Sequence, residues 1–275
     1  MTATTPPPAA GGRPAVRAQP SVPAPTGGVG GAVLVVASRV GLWLGLGLGL
    51  AGLLVLVGAA ATGQALDEAA GWWMVYAGLV DLGTLGVLFW LLRRDQGAYR
   101  RLLGPPTTAW VVALGAAGVL AATLPAVVFS GELTSAVYGH GAIAPMFAIV
   151  ELPPWASVLS VVVVPLLAEL AEPVAYLGLV LPWLEERLGR PWLAATIVVA
   201  VWAAEHACFP LLASSDGGLD LGFAAYRVAS VLPYLAAWTA AWYALGRRLL
   251  PIMAARWVFN AGTALALALA LGLVE

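Results

Sequence analysis

Apolar runs about as long as a bilayer is thick recur along this chain, and they decide what it can fold into. A helix needs roughly 20 such residues to cross the hydrocarbon core. Seven runs come near that length: about Arg39 to Ala61, Gly71 to Leu92, Thr107 to Phe129, Trp155 to Trp183, Pro191 to Phe209, Gly222 to Leu245 and Pro251 to Leu273. The expected fold is therefore all-α, a polytopic transmembrane helix bundle of about seven spans. Composition agrees: 61% of residues are hydrophobic and 10% charged, where soluble domains carry about 25% charged residues, and the mean hydropathy is +0.91. A water-soluble globule is excluded.

All thirteen basic residues are Arg, against fourteen acids, for a net charge of -1. No cationic surplus points to nucleic acid. The absence of Lys, with 32 Gly, 20 Pro and abundant Ala, suggests a GC-rich genome and hence a bacterial plasma membrane. The one cysteine, Cys208, excludes an intrachain disulfide and a Cys-rich metal site.

Residues 1–31 are rich in Pro, Gly and Ala, bury little apolar surface and are expected to stay disordered; 32–275 form the transmembrane domain. The first apolar run exceeds the 7 to 15 residues of a signal-peptide core and reads as a retained span. Arginines set the orientation. The tail, the Arg93/Arg94/Arg100/Arg101 loop, the Arg187/Arg190 turn and the Arg247/Arg248 turn alternate with loops that hold no Arg. Every Arg-bearing connection then falls on one side, the cytoplasm, with the N-terminus inside and Glu275 outside. The outer loops carry Asp67, Glu68, Glu132, His140, Asp216 and Asp220 as solvated residues. Gly41, Gly45 and Gly49 share a face of the first span, where another helix could approach closely.

Charges at membrane depth are costly and mark functional sites by default. Those inside the runs are Asp81, Glu169, Glu172, Glu205, His206, Arg227 and Arg256, with Asn260 beside them. Pro165, Glu169, Glu172, Tyr176 and Trp183 fall on one side of the fourth span at helical spacing. Glu172 lies 17 residues before Gly189 and His206 lies 17 after it, so a hairpin turning at Gly189 holds them level. Asn260, ten residues past Leu250, reaches the same depth. Pro173 cannot donate to the carbonyl of Glu169, and a kink there suits a wet cavity. Asp81 and Arg227 have no partner at matching spacing, and Glu205, rotated about 100° from His206, reads as a pairing residue.

Such a set supports general-base activation of water by a carboxylate, with His as a second acid/base and an amide or cation stabilising an oxyanion. Zinc is the weaker reading, because catalytic zinc takes three protein ligands and HExxH is absent; no cofactor is expected. The competing reading is that Glu172 or Glu169 pairs with Arg256 or Arg227 and locks the bundle together.

Over 154–264 the chain resembles the CAAX protease and bacteriocin-processing (CPBP) family of intramembrane endopeptidases. Glu172-Pro173-Val174-Ala175-Tyr176-Leu177-Gly178 followed by Leu181-Pro182 is similar to the family's EExxxRG and LLP segment. Trp202 to His206 is similar to FxxxH, and Arg256 to Asn260 to HxxxN. The resemblance implies an endopeptidase cleaving a membrane-associated protein or peptide, with Glu172 as base, His206 assisting, Asn260 and Arg256 holding the oxyanion, and Glu169, Tyr176 and Trp202 around them. Three motif positions depart: Pro173 replaces a glutamate, Leu177 an arginine and Arg256 a histidine. Arginine cannot cycle protons. The alternative is an inactive paralogue acting as a membrane scaffold or binding protein, which a direct bridge from Arg256 to Glu172 would favour.

Overall fold

A computed structural model of the chain describes residues 28–95, 97–139, 153, 155–156, 159–212 and 220–270. The expected tail lies outside these as far as residue 27, as do His140, Asp216 and Glu275; residues 28–31, assigned to the tail from sequence, open the first helix. All regular structure among the described residues is helical: α1 Gly28–Leu56, α2 Ala65–Gly71, α3 Trp73–Leu92, α4 Ala98–Leu102 and α5 Ala109–Tyr138. Next come α6 Val164–Pro173, α7 Leu181–Leu188, α8 Pro191–Glu205, α9 Cys208–Leu212, α10 Leu221–Ala244 and α11 Leu249–Ala270. Among the described residues four helices are long and apolar enough to cross a membrane: Gly30–Leu56, Trp73–Leu92, Ala109–Tyr138 and the continuous Val164–Leu188, while α8 is apolar but shorter.

Sequence reasons for these elements are local. The α1 helix begins eleven residues before Arg39, at Gly28, so Arg39 is not the edge of the first span but lies well inside it. The α5 helix continues past Phe129 to Tyr138, which makes Glu132 helical rather than a loop residue. Asp220 caps α10: its Oδ1 accepts from the Phe223 N–H at 2.8 Å, supplying a partner to one of the orphan donors of a helix start. On α5 only Val119, Thr123 and Ala126 are buried, and Trp110, Leu114, Leu124 and Val128 are exposed. In water so long an apolar face would be an aggregation site; in lipid it is the ordinary surface of a span.

The fourth run is the core of the bundle. Pro173 removes the N–H that would close on Glu169, and directly after it Val174–Val180 widens into a π-helical segment, every residue of which is buried. Such widening is a known response to a break in the i→i−4 ladder. Gly178 sits where an added Cβ would meet the Leu102 carbonyl at 3.0 Å. The chain then turns at Gly189, φ 60°, into α8, which confirms the predicted hairpin.

The arginine-bearing connections meet at one end. The Leu249 N–H donates to Leu103 O at 3.0 Å, Arg247 pairs with Glu185 at 2.9 Å, and the Tyr243 hydroxyl donates to Glu185 Oε1 at 2.7 Å and to Pro191 O at 3.2 Å. Gly31, in the first turn of α1, faces Leu91. At the same end the Tyr99 hydroxyl donates to Leu170 O at 2.7 Å, and burial pushes its pKa up to about 12, so it remains a neutral donor. The predicted glycine face of α1 makes no close approach to the described residues: added Cβ atoms at Gly41, Gly45 and Gly49 meet none of them within 4 Å.

Candidate functional site

Arg39 organises the bundle interior. It is fully buried and its guanidinium reaches three acids on three other helices. Nη1 donates to Asp81 Oδ1 at 2.9 Å and to Thr84 Oγ1 at 3.0 Å, both on α3. Nη2 donates to Glu172 Oε1 on α6 at 2.9 Å. Nε donates to Glu205 at the end of α8, 2.9 Å from Oε1 and 3.1 Å from Oε2. Trp43, one helical turn beyond Arg39, gives its indole N–H to Glu205 Oε1 at 3.0 Å, and the Tyr176 hydroxyl donates to the other oxygen. The five donors of a planar guanidinium let one arginine serve three carboxylates and a hydroxyl from one position.

A second knot forms on α11. Arg256 Nε donates to Glu169 Oε1 at 3.0 Å and lies 2.9 Å from Oε2; Nη2 donates to Glu172 Oε2 at 2.6 Å. Its charge also lies over the rings of Trp238, at 4.3 Å from the centroid, and Trp202, at 5.0 Å, a geometry worth more when desolvated. Trp202 in turn stacks on Tyr176 at 4.8 Å and 12°. Asn260, one turn after Arg256, gives its amide to Glu169 Oε1 at 2.9 Å. Glu172 thus joins the two knots, one oxygen held by each arginine.

His206 follows α8. Its Nδ1 lies 2.9 Å from the Trp202 carbonyl. A carbonyl only accepts, so Nδ1 carries the proton and the lone pair of the neutral ring is on Nε2. His206, Glu172, Glu205, Arg256 and Asn260 line one cavity of about 690 Å³, together with Asp81 and Arg227. Trp43, Trp73, Phe209, Trp238 and Phe259 form much of the rest of its wall. The lining stretches of α3, α5, α6 and α10 are those remote from the arginine-bearing turns, so the cavity belongs to the opposite half of the bundle.

The structure therefore gathers Glu169, Glu172, His206, Arg256 and Asn260 in one place, with Tyr176 and Trp202 as their packing. It corrects the reading of Asp81 as unpartnered, and pairs Glu205 as expected. Arg39 is the residue that sequence reasoning missed, having been taken as the boundary of a run. One signal could have found it: the runs hold four acids but only two arginines, so a third buried cation was due. Leu177, the position that the resemblance would match to an arginine, is fully buried in apolar surroundings, and the guanidinium groups beside Glu172 come from α1 and α11. Among the described residues no cluster of three or more His, Cys, Asp or Glu is arranged to hold a metal. Comparison of the chain with family models, curated proteins and solved structures gives no match.

Proposed function

We propose that this chain is a seven-pass protein of a bacterial plasma membrane, N-terminus in the cytoplasm, built like a CPBP endopeptidase but acting as a binding protein without hydrolysis. The passes would be α1, α3, α5, the 159–188 stretch, α8 with α9, α10 and α11. Meeting of the arginine-bearing turns at one end supports that orientation. The observation that carries the non-hydrolytic reading is the pair of contacts to Glu172, from Arg39 at 2.9 Å and Arg256 at 2.6 Å. A general base must take a proton from water, and protonating Glu172 would dismantle both ion pairs. Asn260 is likewise turned toward Glu169 rather than free to meet an oxyanion. The lattice binds the helices together and leaves a cavity beside it, and the cavity is the functional element.

The peptidase reading keeps one observation in its favour: Glu172 and His206, chosen by the motif resemblance, line the same cavity. Purified protein incubated with prenylated CaaX and leader-peptide substrates separates the two. The binding reading expects no cleavage, and expects Glu172→Ala to lower thermal stability. Cleavage by the wild type that Glu172→Ala abolishes, at unchanged stability, would establish the peptidase instead.

A further inference from the structure

Three arginines lie inside the bundle, and they are not treated alike. Arg39 contacts three carboxylates and Arg256 two. Arg227, on α10, forms no ion pair with any described residue, although it lines the same cavity. Its side chain donates no hydrogen bond to the described residues, and its nitrogens are not among the buried atoms lacking partners, so they reach open space in the cavity. Glu172 acts on it only at longer range, its oxygens being held by Arg39 and Arg256.

An unpaired guanidinium at membrane depth is costly. Among the described residues the acids of the cavity are taken by Arg39 and Arg256, leaving none for Arg227. An anionic group bound in the cavity would supply the missing counter-charge. Around Arg227 the wall supplies hydroxyl groups: Ser130, Thr134, Tyr226 and Tyr234 line the cavity, and the Thr134 and Tyr226 hydroxyls lie 2.7 Å apart. The rest of the wall is the ion-paired group of Asp81, Glu172, Glu205 and Arg256 with His206 and Asn260, and beside it an aromatic and aliphatic face that includes Trp43, Trp73, Phe209, Trp238 and Phe259. The volume of about 690 Å³ is that of sites that enclose a small organic ligand.

We infer that the cavity binds an amphiphile whose anionic head group, a carboxylate or a phosphate, pairs with Arg227 while its apolar chain lies against the aromatic wall. The guanidinium fork matches both oxyanions. The inference rests on the binding reading above and names its ligand class.

The test uses the full-length protein in nanodiscs of zwitterionic lipid, titrated with dodecanoate, dodecyl phosphate and dodecanol. Tryptophan fluorescence reports binding, because Trp43, Trp73 and Trp238 line the cavity. Wild type is expected to bind at least one anion about tenfold more tightly than the alcohol, and the anion preferred says which head group is native. Arg227→Gln should bring anion and alcohol within about twofold, and Arg227→Lys should keep part of the preference. Equal binding of anions and alcohol by wild type overturns the proposal whether or not Arg227→Gln folds. So does an anion preference that survives in folded Arg227→Gln. Cleavage of CaaX or leader peptides by the same preparation would overturn the non-hydrolytic reading and leave the anion site standing. Loss of anion preference without cleavage would overturn the site alone.

Discussion

Replacing Arg39 with Leu is the sharpest perturbation the structure offers, because it removes one cation from three acids at once. Asp81, Glu172 and Glu205 each lose a contact of 2.9 Å. Removing one partner of a buried pair costs about 3–5 kcal/mol, and three acids losing charge at once, with Asp81 and Glu205 left without a cation and Glu172 left with Arg256 alone, should place this variant at the upper end. At about 2–4 °C per kcal/mol for a chain of this general size, the melting temperature should fall by roughly 10–15 °C. Arg39→Lys keeps the charge without the fork and should fall in between. Adding Asp81→Asn and Glu205→Gln to Arg39→Leu removes two of the stranded charges and should recover about half of the loss, since the penalty lies in unpaired charge and not in missing contacts. The assay is thermal unfolding in mild detergent, followed by tryptophan fluorescence, with gel filtration to verify a monodisperse starting state. A drop of less than about 3 °C for Arg39→Leu, equivalent to roughly 1 kcal/mol, would refute the lattice as a stabilising element. A triple variant no more stable than Arg39→Leu alone would refute the stranded-charge account of its cost.

Further changes test other parts of the frame by the same melts. Gly104 has φ 88°, and a Cβ there would fall 2.1 Å from the Arg247 carbonyl oxygen; Gly104→Ala should cost at least about 2 kcal/mol through left-handed strain and displaced backbone. Trp202→Ala removes the ring between Tyr176 and Arg256 and should cost about 3–5 kcal/mol, and a near-neutral result would show that the stack does not hold Arg256. Asp220→Ala removes the α10 cap and should cost about 1 kcal/mol, which Asp220→Ser largely restores.

The helices were legible because each is a local statement. Apolar length marks a helix, Gly189 marks a turn, and Pro173 marks a break, and each of these holds among the described residues, where four of the helices are long and apolar enough to cross a membrane. That Glu172 and His206 line one cavity was legible for the same reason, being arithmetic about one hairpin. The lattice was not. Arg39 meets its acids across 42, 133 and 166 residues, and no period along a helix encodes which spans become neighbours. Its apolar flanks also disguised it, since an arginine near the start of a run reads as an interfacial anchor until the helix is seen to begin at Gly28.

Charge balance is the constraint that carries across that gap. Four acids buried among apolar helices need cations wherever those cations sit in the sequence, and with Leu177 apolar they come from other helices. Arg39 supplies one from α1 and Arg256 a second from α11. The two arginines act alike: both set fixed positive charge against Glu172, and both tie it to a helix outside the 164–206 hairpin. A carboxylate so bound is a strut. On the binding reading proposed above, that strut fixes the helices around the cavity, and Arg227 is the arginine in its wall that no described acid pairs with.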